Sequence, residues 1–262
     1  GSSNNIGNLN VRDNVSPGGD AVLGDGIVLF HSGKNQLINN LVSHNGPFDG
    51  IGVLGVDSNY NRIQGNTVEE TVASEGDLVF DGVGIIINNF LDEQGTPRRG
   101  EPIRNNDVID NVVRRNDNSG ISNTTNIAAR IVGNVVQDNG QRGEFCAAEP
   151  GGEPFCQPAA GPSNGIGFTA GPLAPQVTRA LIQGNTVTGN EHNGIEIQTQ
   201  ENRIIGNTVL GNGLADLVDY NFEPQCDHNV YQGNVFGIAN LDCIYIQQGL
   251  TPPPPPPYGG PR

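Results

Sequence analysis

The sequence has no methionine and no tryptophan, only 5% aromatic residues, and a single lysine, Lys34. Each absence narrows what the chain can be. Without Met even at position 1, it reads as starting inside a longer precursor. No apolar run approaches the ~18 residues of a membrane-spanning helix. No charged segment followed by an apolar stretch marks a secretory signal. Hydrophobic residues make up only 35% of the chain, too few for a conventional helical or doubly wound globule. Such poverty signals disorder unless the polar residues recur on a fixed period.

Cations are scarce too. Lys and Arg number 13 against 28 Asp and Glu, a net charge of −15. This disfavours nucleic acid, whose binding rests on neutralised phosphates, and anionic membranes. Acidic polysaccharides are repelled unless a cation such as Ca²⁺ bridges the two, so neutral glycans or cations fit better. The same charge also keeps an extracellular protein soluble.

What the chain does have is 38 Gly, 18 Pro and 34 Asn. One pattern recurs: apolar, any residue, Gly/Asn/Asp, Asn, any residue, apolar. It reads Leu37-Ile-Asn-Asn40-Leu-Val42, Ile63-Gln-Gly-Asn66-Thr-Val68 and Ile182-Gln-Gly-Asn185-Thr-Val187, among others. A weaker copy, Val11-Arg-Asp-Asn14-Val15, opens the series. The signature asparagines are Asn14, Asn40, Asn66, Asn111, Asn134, Asn185, Asn207 and Asn234. The base period is 22 to 27 residues, with insertions in the two longer gaps. Two more columns keep register: Asn45, Asn116, Asn139, Asn190 and Asn212, and the Gly-Ile/Val steps at Gly26, Gly50, Gly82, Gly120, Gly165 and Gly194.

The apolar pieces are short, alternate with period two and are rich in Ile and Val, which predicts strands. Gly and Asn tolerate the left-handed backbone that sharp corners need. One repeat cannot bury its own apolar face, so successive coils must stack. A column of Asn can then chain its amides from coil to coil, each donating and accepting. Eight coils give a cylinder about 38 Å long. The predicted fold is all-β, a right-handed parallel β-helix over 1–248. A proline-rich tail or linker, 249–262, follows, because six consecutive prolines cannot enter a sheet.

The Asn-x-Val repeats with intervening Gly-Ile steps resemble right-handed parallel β-helix proteins. That superfamily holds pectate-lyase-like and NosD-like folds and domains of carbohydrate binding and sugar hydrolysis. The resemblance implies polysaccharide as partner; no family-specific catalytic motif carries over.

The four cysteines show neither metal-finger nor redox spacing. Cys146 and Cys156 bracket a loop of residues that cannot pack a core, and Cys226 and Cys243 lie near the last coil. Two disulfides are expected, and with them a secreted or cell-surface location.

Insertions carry function in such cylinders. Residues 69–80, 88–102, 140–163 and 213–228 exceed the period, and are expected to wall a groove on one side. Before the Gly-Ile/Val steps stand Asp25, Asp49 and Asp81. Stacked in register, these carboxylates could supply glycoside hydrolysis, bind Ca²⁺, or form local turn hydrogen bonds. His31, Lys34 and His44 lie nearby in sequence. Arg98 and Arg99 are either a lyase base near a cation-neutralised uronate or solvated charges. Glu196, between two inward Ile, should point outward as a substrate contact. A zinc site on His192 lacks a second His nearby. Of the sequons at Asn14 and Asn123, Asn123 is the more exposed by this reading.

The leading functional expectation is a secreted protein that binds or processes polysaccharide, with hydrolysis at the Asp column ahead of lyase chemistry. The alternative is a non-catalytic extracellular module: a stalk, adhesin or end-to-end stacking filament. Bare coil ends would invite such self-association.

Overall fold

Three-residue strands, each with one inward side chain, account for the short apolar repeat. The structure, a computed structural model, describes residues 4–14, 24–46, 48–73, 82–89, 102–140, 145–147, 155–157, 163–169, 177–220, 226 and 228–254. It is a right-handed parallel β-helix with three parallel sheets. Sheet A has eight strands, from Asn5–Gly7 through Arg62–Gln64 to Val230–Gln232, and sheet B has eight, from Asn10–Arg12 to Val235–Phe236. Sheet C has seven, from Ile27–Phe30 to Ala215–Asp219. An antiparallel hairpin, Phe145–Ala147 with Phe155–Gln157, stands apart from them.

The middle residue of each sheet A strand faces inward. From Leu37 through Ile63, Val108, Ile131, Ile182 and Ile204 to Tyr231 these residues are almost completely buried. Val42, Val68, Val113, Val136, Val187 and Val209 line sheet B in the same way. Burying each such side chain is worth about 1.5–3 kcal/mol.

The corner from sheet A to sheet B is always two residues long, and its second residue is the signature Asn from Asn40 onward. From Asn66 onward each of these Asn receives two hydrogen bonds on Oδ1, from the backbone N–H and the Nδ2 of the preceding coil's Asn, at 2.8–3.0 Å. Its other Nδ2 hydrogen goes to a backbone carbonyl one coil back, as from Asn134 to Val108 at 2.9 Å. The buried amide is thereby saturated, so the usual cost of a buried polar group is met.

Asn14 does not belong to this ladder. Its N–H and Nδ2 donate to Asn45 Oδ1 at 3.2 and 3.0 Å, which puts it in the sheet B–sheet C corner. The signature ladder's first-coil position is held instead by Leu9, whose N–H donates to Asn40 Oδ1 at 3.0 Å. The second ladder then runs through Asn116, Asn139, Asn190 and Asn212, with Thr71 in one rung. A third ladder was not anticipated. It joins Asn4, Asn35, Asn61, Asn106 and Asn126, and resumes at Asn202 and Asn229.

All three ladders donate toward the C-terminal end, and each meets an acceptor there. Asn212 ends on Asp216 Oδ1, Asn229 Nδ2 ends on Asp219 Oδ2, and the Asn234 N–H ends on Gln248 Oε1. Gln248 follows helix α1 (Asp242–Gln247), which closes this end of the cylinder. The Cys226–Cys243 disulfide ties α1 to the connection after sheet C.

Candidate functional site

Length variation is confined to the corners on either side of sheet C. The segments 15–23, 74–81, 90–101, 141–162, 170–176 and 221–225 all run into or out of its strands, while every A–B corner stays at two residues. Two of the expected insertions are shorter than they looked. Asn88 ends the strand Val83–Asn88, and Ala215–Asp219, inside the expected 213–228 insertion, is the seventh strand of sheet C.

The aspartate column does not assemble as a set of three. Ile51 pairs with Ile85, and Ile85 with Ile121, so Gly84 is stacked between Gly50 and Gly120. A Cβ on Gly84 would lie 2.7 Å from the Gly120 carbonyl oxygen and 2.5 Å from a Val113 methyl carbon. Val83 consequently stands opposite Asp49. Asp81 is two positions ahead of the slot and outside the described residues. The slot reads Asp25, Asp49, Val83, Ser119, Asn164, Asn193 and Ala215.

These side chains cap backbone. Asp25 Oδ1 accepts the Asp49 N–H at 2.8 Å, Ser119 Oγ accepts the Asn164 N–H at 3.2 Å, and Asn164 Oδ1 accepts the Asn193 N–H at 3.2 Å. An uncharged oxygen serves as well as a carboxylate there. Among the described residues no group of three His, Cys, Asp or Glu side chains could hold a metal ion. With Val83 in the third place, the donor set does not fit Ca²⁺.

Further along the same face lies a polar cluster centred on Glu196. Glu196 alternates with inward Ile195 and Ile197, as expected of an outward residue, yet it is only 3% exposed. Asn164 Nδ2 and Asn193 Nδ2 donate to its Oε2 at 3.0 and 2.8 Å, and Gln198 Nε2 donates to Oε1 at 2.7 Å. Tyr220, just past sheet C, is 46% exposed. Its phenol is pushed above the ordinary value by partial burial and then by the Glu196 charge, against a hydrogen bond with Asn193. The signal for this cluster was the Asn-Gly-Ile step repeated at Asn164 and Asn193, which places two amides beside the next outward residue.

The remaining expected residues lie elsewhere. His31 Nδ1 is 2.8 Å from the Val56 carbonyl, which requires the proton on Nδ1. Its ring also packs edge-on against Phe30. His44 pairs with Glu70 at 2.6 Å, beside a network in which Arg115 bridges Glu69 and Glu70. Arg98 and Arg99 lie outside the described residues. Cys146 stands opposite Cys156 in the hairpin; the pairing of their sulfurs lies outside the described side chains. The sequon reading is reversed. Asn123 faces inward at 1% exposure, whereas Asn14 is exposed.

No helix among the described residues is long and apolar enough to cross a membrane. No family model matches the chain, and no curated protein matches it significantly.

Proposed function

We propose that this chain is an extracellular polysaccharide-binding solenoid of the pectate-lyase-like β-helix superfamily, with the outer face of sheet C as its site. The observation that carries this reading is the coincidence of two features on one sheet. Every length-variable corner borders sheet C, and its outer face bears the amide–carboxylate cluster of Asn164, Asn193, Glu196 and Gln198 beside the exposed Tyr220. The half-exposed Tyr220 ring and the partly exposed Gln198 amide, at the rim of this buried cluster, suit a neutral sugar, which offers hydroxyls and an apolar face together. The Cys226–Cys243 disulfide supports an oxidising compartment.

Binding without hydrolysis is the favoured form. Glycoside hydrolysis needs two carboxyl groups across one bond. Asp25 is engaged with the Asp49 amide, and Glu196 lies four coils from Asp49, about 19 Å along the stack. The filament reading is disfavoured because α1 packs on the last sheet A strand, and Gln247 and Gln248 take up the Tyr231 and Asn234 N–H groups that a second copy would need.

A screen of neutral polysaccharides, read both for binding and for new reducing ends, tests the proposal. Binding without reducing-end release, weakened by Tyr220→Ala, is the expected result. A blank screen removes the binding reading, and release of reducing ends removes its non-catalytic part.

A further inference from the structure

The net charge of −15 conceals a cationic face. The first outward position of sheet A reads, coil by coil, Gln36, Arg62, Asp107, Arg130, Leu181 and Arg203. Beside it runs a corner file in left-handed conformation that includes Lys34, Tyr60 and Arg179. Together the two files carry five cations and two acids, Asp107 and Glu201, in a chain where acids outnumber bases two to one. Arg130 is paired with Asp107 at 3.2 Å and Arg179 with Glu201 at 2.7 Å. Lys34, Arg62 and Arg203 form no close ion pair among the described residues, although the Arg62 charge also acts on Asp107. A shallow depression of about 530 Å³ lies here, lined by Lys34, Tyr60, Arg62 and Arg130, with the Tyr60 side of it open to solvent.

The arginines recur on alternate coils. Arg62, Arg130 and Arg203 are therefore about 10 Å apart along one line, twice the interstrand spacing. Between them stand an acid and an apolar residue. We infer that this face binds an acidic polysaccharide in which charged and uncharged sugars alternate. An anion of such a polymer meets each arginine, and its uncharged sugars pass over Asp107 and Leu181. Tyr60 supplies a ring for a sugar face, and Gln36 supplies an amide. A small anion would use one arginine and leave the file unexplained. Nucleic acid is too densely charged, with a phosphate about every 3.4 Å per strand, and would be driven against Asp107. The site is separate from sheet C and does not depend on the reading given for it.

The test is titration of the whole chain, at low and moderate salt, with four labelled polymers. These are an alternating uronate–N-acetylhexosamine oligosaccharide, an all-uronate oligosaccharide, a neutral glucan and duplex DNA. The alternating oligosaccharide should bind best, and more weakly as salt rises. The triple variant Arg62→Gln, Arg130→Gln, Arg203→Gln should weaken it at least about tenfold. Asp107→Asn should narrow the preference over the all-uronate polymer. Since the three arginines are exposed, circular dichroism of the variant should match the parent. The single Arg62→Glu substitution gives the same readout if the triple variant folds poorly. No binding of the alternating polymer, equal binding of DNA or the all-uronate chain, or an unaffected variant would each overturn the inference.

Discussion

Asn212 gives both its backbone N–H and its Nδ2 to one oxygen of Asp216, at 3.2 and 3.0 Å. The other oxygen of Asp216 accepts the Gly237 and Ile238 N–H groups at 2.7 and 3.1 Å. A carboxylate suits this place because four donors converge on it. In Asp216→Asn one of the two oxygens becomes a donor, facing other donors. The expected loss is about 1–3 kcal/mol, confined to the last coils. Hydrogen exchange should show faster exchange for Asn212, Gly237 and Ile238 while the central coils keep their protection.

In mid-ladder the same change runs in the opposite direction. Asn134 accepts twice from Asn111 but also donates to the Val108 carbonyl and to Asn185 Oδ1. Asn134→Asp keeps the acceptors and loses both side-chain donations, placing a buried carboxylate against two oxygens. It should cost more than Asp216→Asn, about 3 kcal/mol or more, with the difference read from denaturant midpoints. Equal costs at the two sites would remove the directional account of the ladders.

The fold was legible because Ile and Val return inward at every coil, a signal that insertions shift but do not erase. Frame was harder. Val83, Ile85 and Ile87 share parity, so a two-residue slip leaves the same faces inward, and periodicity alone cannot choose Gly82 or Gly84 as the stacked glycine. Asn14 was misplaced for a related reason, since Asn follows the inward residue of sheet A and of sheet B alike by three positions. The third ladder also has a sequence signal: Asn35, Asn61, Asn106, Asn202 and Asn229 each precede the inward sheet A residue by two. Of the site, Glu196 was legible from strand alternation. Its burial was not, because it depends on amides from other coils.

Two glycines in one strand separate the inward and outward faces of sheet C. A Cβ on Gly50 would lie 2.7 Å from the Gly84 carbonyl oxygen and against a Val68 methyl, whereas on Gly52 it would meet only the Leu54 side chain at 3.3 Å and Asp49 Oδ2 at 3.6 Å. Gly50→Ala should therefore cost about 3 kcal/mol or more, through forced backbone shifts, and Gly52→Ala less than about 1 kcal/mol. Thermal melts of the two variants check this. Similar losses would contradict the stacking register.

Tyr231 is fully buried, and its hydroxyl donates to Asp219 Oδ2 at 3.0 Å. Burial, then the Asp219 charge and the hydrogen bond, push its pKa well above 10.0. The folded chain thus keeps a proton that the unfolded chain releases near pH 10. The stabilisation is complete below that pH and is lost as pH climbs toward the folded value. Melting temperature should fall above about pH 10. In Tyr231→Phe that alkaline fall should be shallower, at a cost of about 1–2 kcal/mol near neutrality from the lost donor to buried Asp219. Melts followed by circular dichroism between neutral and alkaline pH measure both effects; parallel curves for the two proteins would refute the assignment.

The cap depends on covalent as well as packed contacts. Cys226 is 1% exposed and lies in the core, joined across 17 residues of sequence to Cys243 in α1. Inside that loop are the last strands of sheets A and B, and just beyond it is Gln247, whose Oε1 accepts the Tyr231 N–H at 2.8 Å. Cys226→Ser with Cys243→Ser should remove about 3 kcal/mol of loop-closure stabilisation, felt first in α1 and the coil beneath it. Once α1 detaches, the N–H groups of Tyr231 and Asn234 lose their glutamine acceptors and the terminal strands present an open edge. The variant should then self-associate at high concentration where the parent stays monodisperse. Light scattering before and after reduction of the parent chain distinguishes this from a general loss of folding, because the central strands of the three parallel sheets carry no cysteine and should keep their circular dichroism signal.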